Sequence, residues 1–246
     1  MRDHDAPLLR LSDATLDALP KAILRPCYDR AALQPGIVHI GLGNFHRAHQ
    51  AWYLHRLMQD GEAQDWGIIG AGVRLNDDVQ RVKLAAQDYL TTLIELDPAG
   101  ISAEVVGSMI GFLPVEDGHG ALIQQMADPA IRVVSLTVTE GGYFLDPASK
   151  VFDPTHADMV HDAANLDHPR TAFGAIVAAL RARRDGGLGP FTCQSCANLP
   201  GNGDILRAVV VGLAGLSDPA LAAWIEAEES FPNSMVDCIV PATGAE

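Results

Sequence analysis

Gly41-Leu42-Gly43-Asn44-Phe45-His46-Arg47 holds two glycines one residue apart, between an apolar run and a stretch of helical spacing. Glycine lets a backbone turn sharply and lets an anion approach it closely. A helix beginning at that turn aims unpaired N–H groups at the anion. The chemistry favoured is the cradling of a pyrophosphate, as in a dinucleotide. The third glycine of G-x-G-x-x-G is replaced by His46, so the fingerprint is incomplete. Its place between a predicted strand and a predicted helix is what supports it. Arg47 is positioned to neutralise phosphate charge. His46 and His49 lie three apart on one helical face, half of a metal site, but no further ligand is marked and no metal is expected.

Three other stretches hold polar groups where ligands of open parallel sheets bind, at the carboxyl ends of strands. Gly70-Ala71-Gly72 is a rival glycine turn, followed by Asp77 and Asp78. An acid there accepts ribose hydroxyls and repels a 2′-phosphate, favouring NAD over NADP; Asp77 is the candidate. Thr137-Val138-Thr139-Glu140-Gly141-Gly142-Tyr143 offers Thr139 to a nicotinamide ribose. Ser195-Cys196-Ala197-Asn198 offers the Asn198 amide as a donor to a developing alkoxide.

The elements that must position these groups follow from hydrophobic spacing. Strands are predicted at 36–41, 66–73, 131–139 and 191–196. Helices are predicted over 44–58, 76–87, 116–126, 153–165, 171–184, 204–216 and 219–229. Two β-like runs, 89–96 and 101–110, flank the turn Asp97-Pro98-Ala99-Gly100 and read as a small antiparallel insertion. The alternation predicts an α/β fold with a doubly wound, mainly parallel Rossmann-type sheet, as one domain over 1–246.

The net charge of −14 lacks the basic face of a nucleic-acid binder. No apolar run is long enough to span a bilayer, and the first twenty residues have no signal-peptide pattern, so a cytoplasmic protein is expected. Cys193-Gln-Ser-Cys196 matches C-x-x-C but sits in an apolar run, where a buried structural role is expected.

Four motifs together resemble one family, the long-chain polyol dehydrogenases that include mannitol 2-dehydrogenase and fructuronate (mannonate) reductase. They are Gly-x-Gly-x-Phe-His-Arg-Ala-His at 41–49, Val-Ser-Leu-Thr-Val-Thr-Glu-Gly-Gly-Tyr at 134–143, Ser-Cys-x-Asn at 195–198 and Phe-Pro-Asn-Ser-Met-Val-Asp at 231–237. The resemblance implies metal-independent, NAD-linked exchange between a polyol and a ketose, with Gly41, Gly43, Asn44, Phe45, His46 and Arg47 around the pyrophosphate. It further implies Asp77 on the adenosine ribose, Asn198 polarising the substrate oxygen, and Asp237 near the nicotinamide end. The 70–74 and 140–143 stretches look more like the mannitol branch than the uronate branch.

Two departures limit what the resemblance implies. Cys238 stands where the family signature has arginine. A second, helical domain follows in the family, bearing the catalytic lysine in Lys-x-x-x-x-Asn-Gly-x-His. The three lysines here, Lys21, Lys83 and Lys150, precede no such pattern. The chain is therefore expected to hold NAD but to be inactive alone, with a separate helical domain or chain as a possible partner. A non-catalytic NAD-binding module or truncated remnant, and a methyl-donor-binding protein, are the alternatives. An exposed apolar patch at Val209–Val211 and 231–241 is expected if a second domain normally packs there.

Overall fold

The structure, a computed structural model, describes residues 9–146, 148–236 and 240. In chain order the regular elements are β1 (Ile23–Leu24), β2 (Pro35–Ile40), α1 (Asn44–Ala48), α2 (Gln50–Gln59), β3 (Gly67–Ala71), α3 (Asp77–Ala85), β4 (Thr91–Asp97), β5 (Gly100–Val106), β6 (Met109–Phe112), α4 (Gly120–Ala127), β7 (Val133–Leu136), α5 (Ala157–Ala164), α6 (Ala172–Asp185), β8 (Thr192–Ser195), α7 (Asn202–Ser217) and α8 (Pro219–Glu228). Short 3₁₀ turns at Asp13–Ala18, Arg30–Ala32, Asp117–His119 and Glu140–Tyr143 join them.

Five strands form the main sheet in the order β6-β3-β2-β7-β8, and every pairing in it is parallel. β2 has β3 on one side and β7 on the other. The strand order reverses there, and the reversal opens a crevice beyond the strands' carboxyl ends. Val38 and Ile40 of β2 and Val134 and Leu136 of β7 are buried. Such near-continuous burial is what a parallel sheet covered on both faces requires.

α6 is buried along most of its length, from Ala172 through Leu180. Full burial of a side chain such as Ile176, Val177 or Leu180 contributes about 1.5–3 kcal/mol. Arg183 at its end is also buried. Its guanidinium donates to the carbonyls of Met126 (3.1 Å), Asp128 (2.9 Å), Ile131 (3.1 Å) and Gly189 (2.7 Å), fixing the loop that enters β7. The expected apolar patch at Val209–Val211 does not exist: Val209 and Val210 pack into the core beside α6.

Three expectations needed revision. The run 101–110 is two strands. β5 pairs antiparallel with β4, whereas β6 joins the main sheet beside β3. The chain changes sheets at Gly107-Ser108, where Ser108 Oγ donates to the Ala51 carbonyl (2.6 Å). The insertion is a three-stranded sheet, because β1 from the leading segment adds to β5 in parallel. The helix expected over 44–58 breaks at His49 (φ −118°, ψ −83°).

Candidate functional site

A cleft of about 680 Å³ lies at the strand-order reversal. That volume is in the ordinary range of ligand pockets. Ile40 through Phe45 form its floor, Val73, Arg74, Asp77 and Gln80 one side, and Thr137 through Thr139 with Gly142 the other. Phe144, Asp158 and Arg170 through Phe173 close the outer wall. Gly41, Gly43, Asn44, Phe45, Asp77 and Thr139 thus converge on one cavity.

The two glycines serve different ends. Gly41 has φ +94°, and a Cβ there would stand 2.9 Å from the Thr137 carbonyl oxygen and 3.0 Å from its hydroxyl. Both its conformation and its surroundings demand glycine. Gly43 is extended (φ −81°, ψ −179°), and a Cβ there would meet nothing within 4 Å. Its space belongs to the cleft. Gly43 is also the N-cap of α1 and gives no side-chain cap, so the first-turn N–H groups of Asn44, Phe45 and His46 lack helical acceptors.

Asp77 stands at the start of α3. Its Oδ2 accepts from the backbone N–H of Val73 (3.0 Å) and Arg74 (2.9 Å). The carboxylate therefore braces the turn after β3 and keeps Oδ1 for another donor. The rival glycines are explained by the same packing: side chains on Gly70 and Gly72 would collide with Leu42 and Asp77.

His46 and Arg47 point elsewhere. Arg47 donates to the Gly43 carbonyl (3.3 Å) and to Asn44 Oδ1, and it does not line the cleft. His46 is fully buried, and its ring lies flat on His39 with centroids 3.6 Å apart. His39 Nδ1 is 2.7 Å from Ser135 Oγ, and its Nε2 is 3.2 Å from both the Gly41 carbonyl and the Thr137 hydroxyl. Ser135 Oγ donates to Gln50 Oε1 (3.0 Å), which also lies 3.0 Å from His46 Nδ1. The Thr137 hydroxyl donates to the Gly41 carbonyl as well. Burial lowers the His39 pKa to about 3 and drives that of His46 well below the usual range, so both rings are neutral at pH 7. This network sits directly beneath the glycine turn.

Tyr143 and Ser195 join two of the sequence motifs. Both are fully buried, with Tyr143 Oη 2.6 Å from Ser195 Oγ. The next motif is tied in by Asn202, whose Nδ2 donates to the carbonyls of Ala197 and Ser234 (both 2.9 Å) and whose Oδ1 accepts from Ser234 N–H (2.9 Å). Asn233 Oδ1 accepts from Gly203 N–H (2.8 Å) at the start of α7. Asn198 follows β8 in an exposed bend and does not line the cleft. Asp237 lies outside the described residues. Burial raises the Cys193 thiol well above its usual range and Cys196 to about 11, so neither is a thiolate at neutral pH.

Residues 35–246 match the mannitol dehydrogenase Rossmann domain. The chain belongs to the mannitol dehydrogenase family. A mannitol 2-dehydrogenase from Cereibacter sphaeroides is 63% identical over 226 residues, 92% of this chain and 47% of that protein. A polyol:NADP oxidoreductase from Gluconobacter oxydans is 42% identical over 94% of this chain and 48% of that protein. The solved Pseudomonas fluorescens mannitol 2-dehydrogenase, a ternary complex with NAD and D-mannitol, superposes with a TM-score of 0.92 at 45% identity; the match covers 96% of this chain and 48% of that one. The chain spans about half the length of these relatives. No helix among the described residues is long and apolar enough to cross a membrane.

His39 and Ser135 are parts of this mannitol dehydrogenase domain to which the residue pattern assigned no role. Both sit inside apolar strands, where a polar residue is the visible signal that something buried must satisfy it. Asn202 and Asn233, the latter within the 231–237 motif, act as ties between α7 and the tail.

Proposed function

We propose that this chain is the cofactor-binding half of an NAD-linked dehydrogenase that interconverts a polyol and a ketose, with mannitol and fructose as the leading pair. One observation carries the reading: at the strand-order reversal, the space over Gly43 is open while Gly41 is locked beneath it. A pyrophosphate fits that opening, next to the free first-turn N–H groups of α1. Asp77 Oδ1 remains available to ribose hydroxyls, and its charge disfavours a 2′-phosphate. Thr139, exposed on the opposite wall, is the residue for the second ribose. In this reading Asn198 and Asp237 serve the reacting end and are completed by groups from a helical second half.

A bound nicotinamide supplies the hydride acceptor or donor. The proton taken from the alcohol needs a base, and the lysine pattern implied by the family is absent from these 246 residues. General acid–base help contributes about 10²–10⁴-fold, so the chain alone is proposed to bind NADH and to turn over mannitol or fructose negligibly. That the relative from Gluconobacter is an NADP oxidoreductase by name makes the cofactor choice worth measuring directly.

The test is titration of the purified chain with NADH and NADPH, followed by nicotinamide fluorescence, and then NADH oxidation with fructose. NADH is expected to bind at least tenfold more tightly than NADPH, and Asp77→Ala is expected to erase most of that difference. No binding of either at millimolar concentration would overturn the reading. Robust fructose-dependent oxidation would overturn the claim of inactivity alone.

A further inference from the structure

The outer wall of the cleft has no role in the account above. It is built by the connection between α5 and α6, and that connection is rigidly held. Asp162 is fully buried; its Oδ1 accepts from Arg170 N–H (2.7 Å) and its Oδ2 from Thr171 N–H (3.1 Å) and the Thr171 hydroxyl (2.7 Å). A buried carboxylate that accepts from both Arg170 and Thr171, with His161 Nδ1 also 3.1 Å from its Oδ1, fixes where Arg170 leaves the wall.

Arg170 lines the cleft, and its guanidinium is half-exposed. Its ion-pair partner is Asp158 at 4.0 Å, the outer limit of such a contact, and Asp158 lines the same cleft. Asp158 also faces His156, 3.9 Å away. The charged side chains lining the cavity among the described residues are Arg74, Asp77, Asp158 and Arg170. Arg47, the cation expected to face the phosphates, is turned into the glycine turn instead. A dianionic pyrophosphate therefore enters a cleft whose cations are Arg74 and Arg170.

We propose that Arg170 is a phosphate-binding residue, reaching the cofactor from the wall opposite the glycine turn, and that Asp158 competes with the phosphate for its guanidinium. This rests on the cofactor reading above. Guanidinium–phosphate pairing gains from charge and from paired N–H donors, whereas the long Asp158 contact is weak and solvent-screened. The exchange of one partner for the other therefore runs toward the phosphate.

The experiment measures the Kd of NADH by fluorescence for the wild-type chain, Arg170→Ala, Arg170→Lys and Asp158→Asn, at low and moderate NaCl. Melting temperatures check that each variant is folded. Arg170→Ala is expected to bind about tenfold more weakly and with a shallower dependence on salt. Arg170→Lys should recover part of the loss, since it keeps the charge. Asp158→Asn should bind a few-fold more tightly than wild type. The proposal is overturned if Arg170→Ala binds like wild type. It is also overturned if binding weakens with an unchanged salt slope and lysine is no better than alanine, the pattern of stacking on the base. Asp158→Asn binding no more tightly than wild type refutes the competition. Failure of the wild-type chain to bind NADH is a different result and refutes the cofactor reading itself.

Discussion

The division of labour between Gly41 and Gly43 separates folding from binding, and one pair of substitutions tests it. Gly41→Ala forces a β-carbon into a left-handed backbone position, which costs roughly 1–2 kcal/mol. The added carbon also stands 2.9 Å from the Thr137 carbonyl oxygen, and relieving such overpacking typically costs about 1–3 kcal/mol more. A total of about 2–5 kcal/mol in a chain of this size lowers the melting temperature by roughly 4–20 °C. Gly43→Ala meets neither obstacle. Removing glycine's freedom in the unfolded chain gains about 0.4–1 kcal/mol, and alanine is a poorer N-cap by a similar amount. The two offset, and melting should shift by no more than about 3 °C. Its methyl group, however, fills the space where a pyrophosphate must approach, and NADH affinity should fall at least tenfold, about 1.4 kcal/mol. The assays are thermal melts by circular dichroism and NADH titration by fluorescence. The reasoning is refuted if Gly43→Ala, folded like wild type, binds NADH within twofold of it, or if Gly41→Ala melts with the wild type.

Two further predictions concern stability. Glu229 is largely buried beside Cys193, and burial pushes its pKa up to about 8. The folded chain thus keeps a proton that the unfolded chain releases near pH 4.3, so the contribution of Glu229 to stability is greatest below that pH, falls by up to about 1.4 kcal/mol per pH unit, and levels off above about pH 8. Glu229→Gln should remove this slope; equal differences between urea midpoints at pH 5 and pH 8.5 in variant and wild type would count against it. His46→Gly recreates the full G-x-G-x-x-G spacing, yet it leaves a cavity on His39 and a glycine within α1, so it should cost about 2–4 kcal/mol. Urea unfolding would contradict this by showing a variant as stable as wild type.

Much of the fold was legible because its signals are local. The four strands read from 36–41, 66–73, 131–139 and 191–196 are the apolar runs that become β2, β3, β7 and β8. β6 was not legible as a separate strand, because Gly107-Ser108 is too short a break to mark a strand end, and it is tertiary pairing, with Ser108 holding the Ala51 carbonyl, that divides the run 101–110 between two sheets. β1 was hidden for a related reason: two residues carry no periodicity, and their strand character comes from pairing with β5. At the site, residues whose placement follows from chain direction, such as Gly41, Gly43 and Asp77, line the cleft where the sequence put them. Placements that depend on side-chain reach were not legible. Arg47 has the right position for a phosphate contact, but its guanidinium folds back onto the Gly43 carbonyl. Arg170 lies far along the chain in His168-Pro169-Arg170-Thr171 and reaches the cleft only through the hold of Asp162.

The substitution of His46 for the third fingerprint glycine and the break at His49 are one structural fact. In the usual fingerprint the third glycine lets a continuous helix lie close on the first strand. An imidazole at that position prevents close approach unless the strand offers a flat partner, and β2 offers His39. The stacked rings fill the space between α1 and β2. The chain bends at His49, and α2 packs the small, fully buried Ala51 into one cluster with Ile37 and Ile68 of the sheet. The polar cost of the two buried imidazoles is met in part: Ser135 and Thr137 bind His39 and Gln50 binds His46 Nδ1, while His46 Nε2 is buried with no partner among the described residues. Two of those groups, His39 and Thr137, also hold the Gly41 carbonyl. The departure from the fingerprint thus goes with a glycine turn held by side-chain hydrogen bonds from His39 and Thr137.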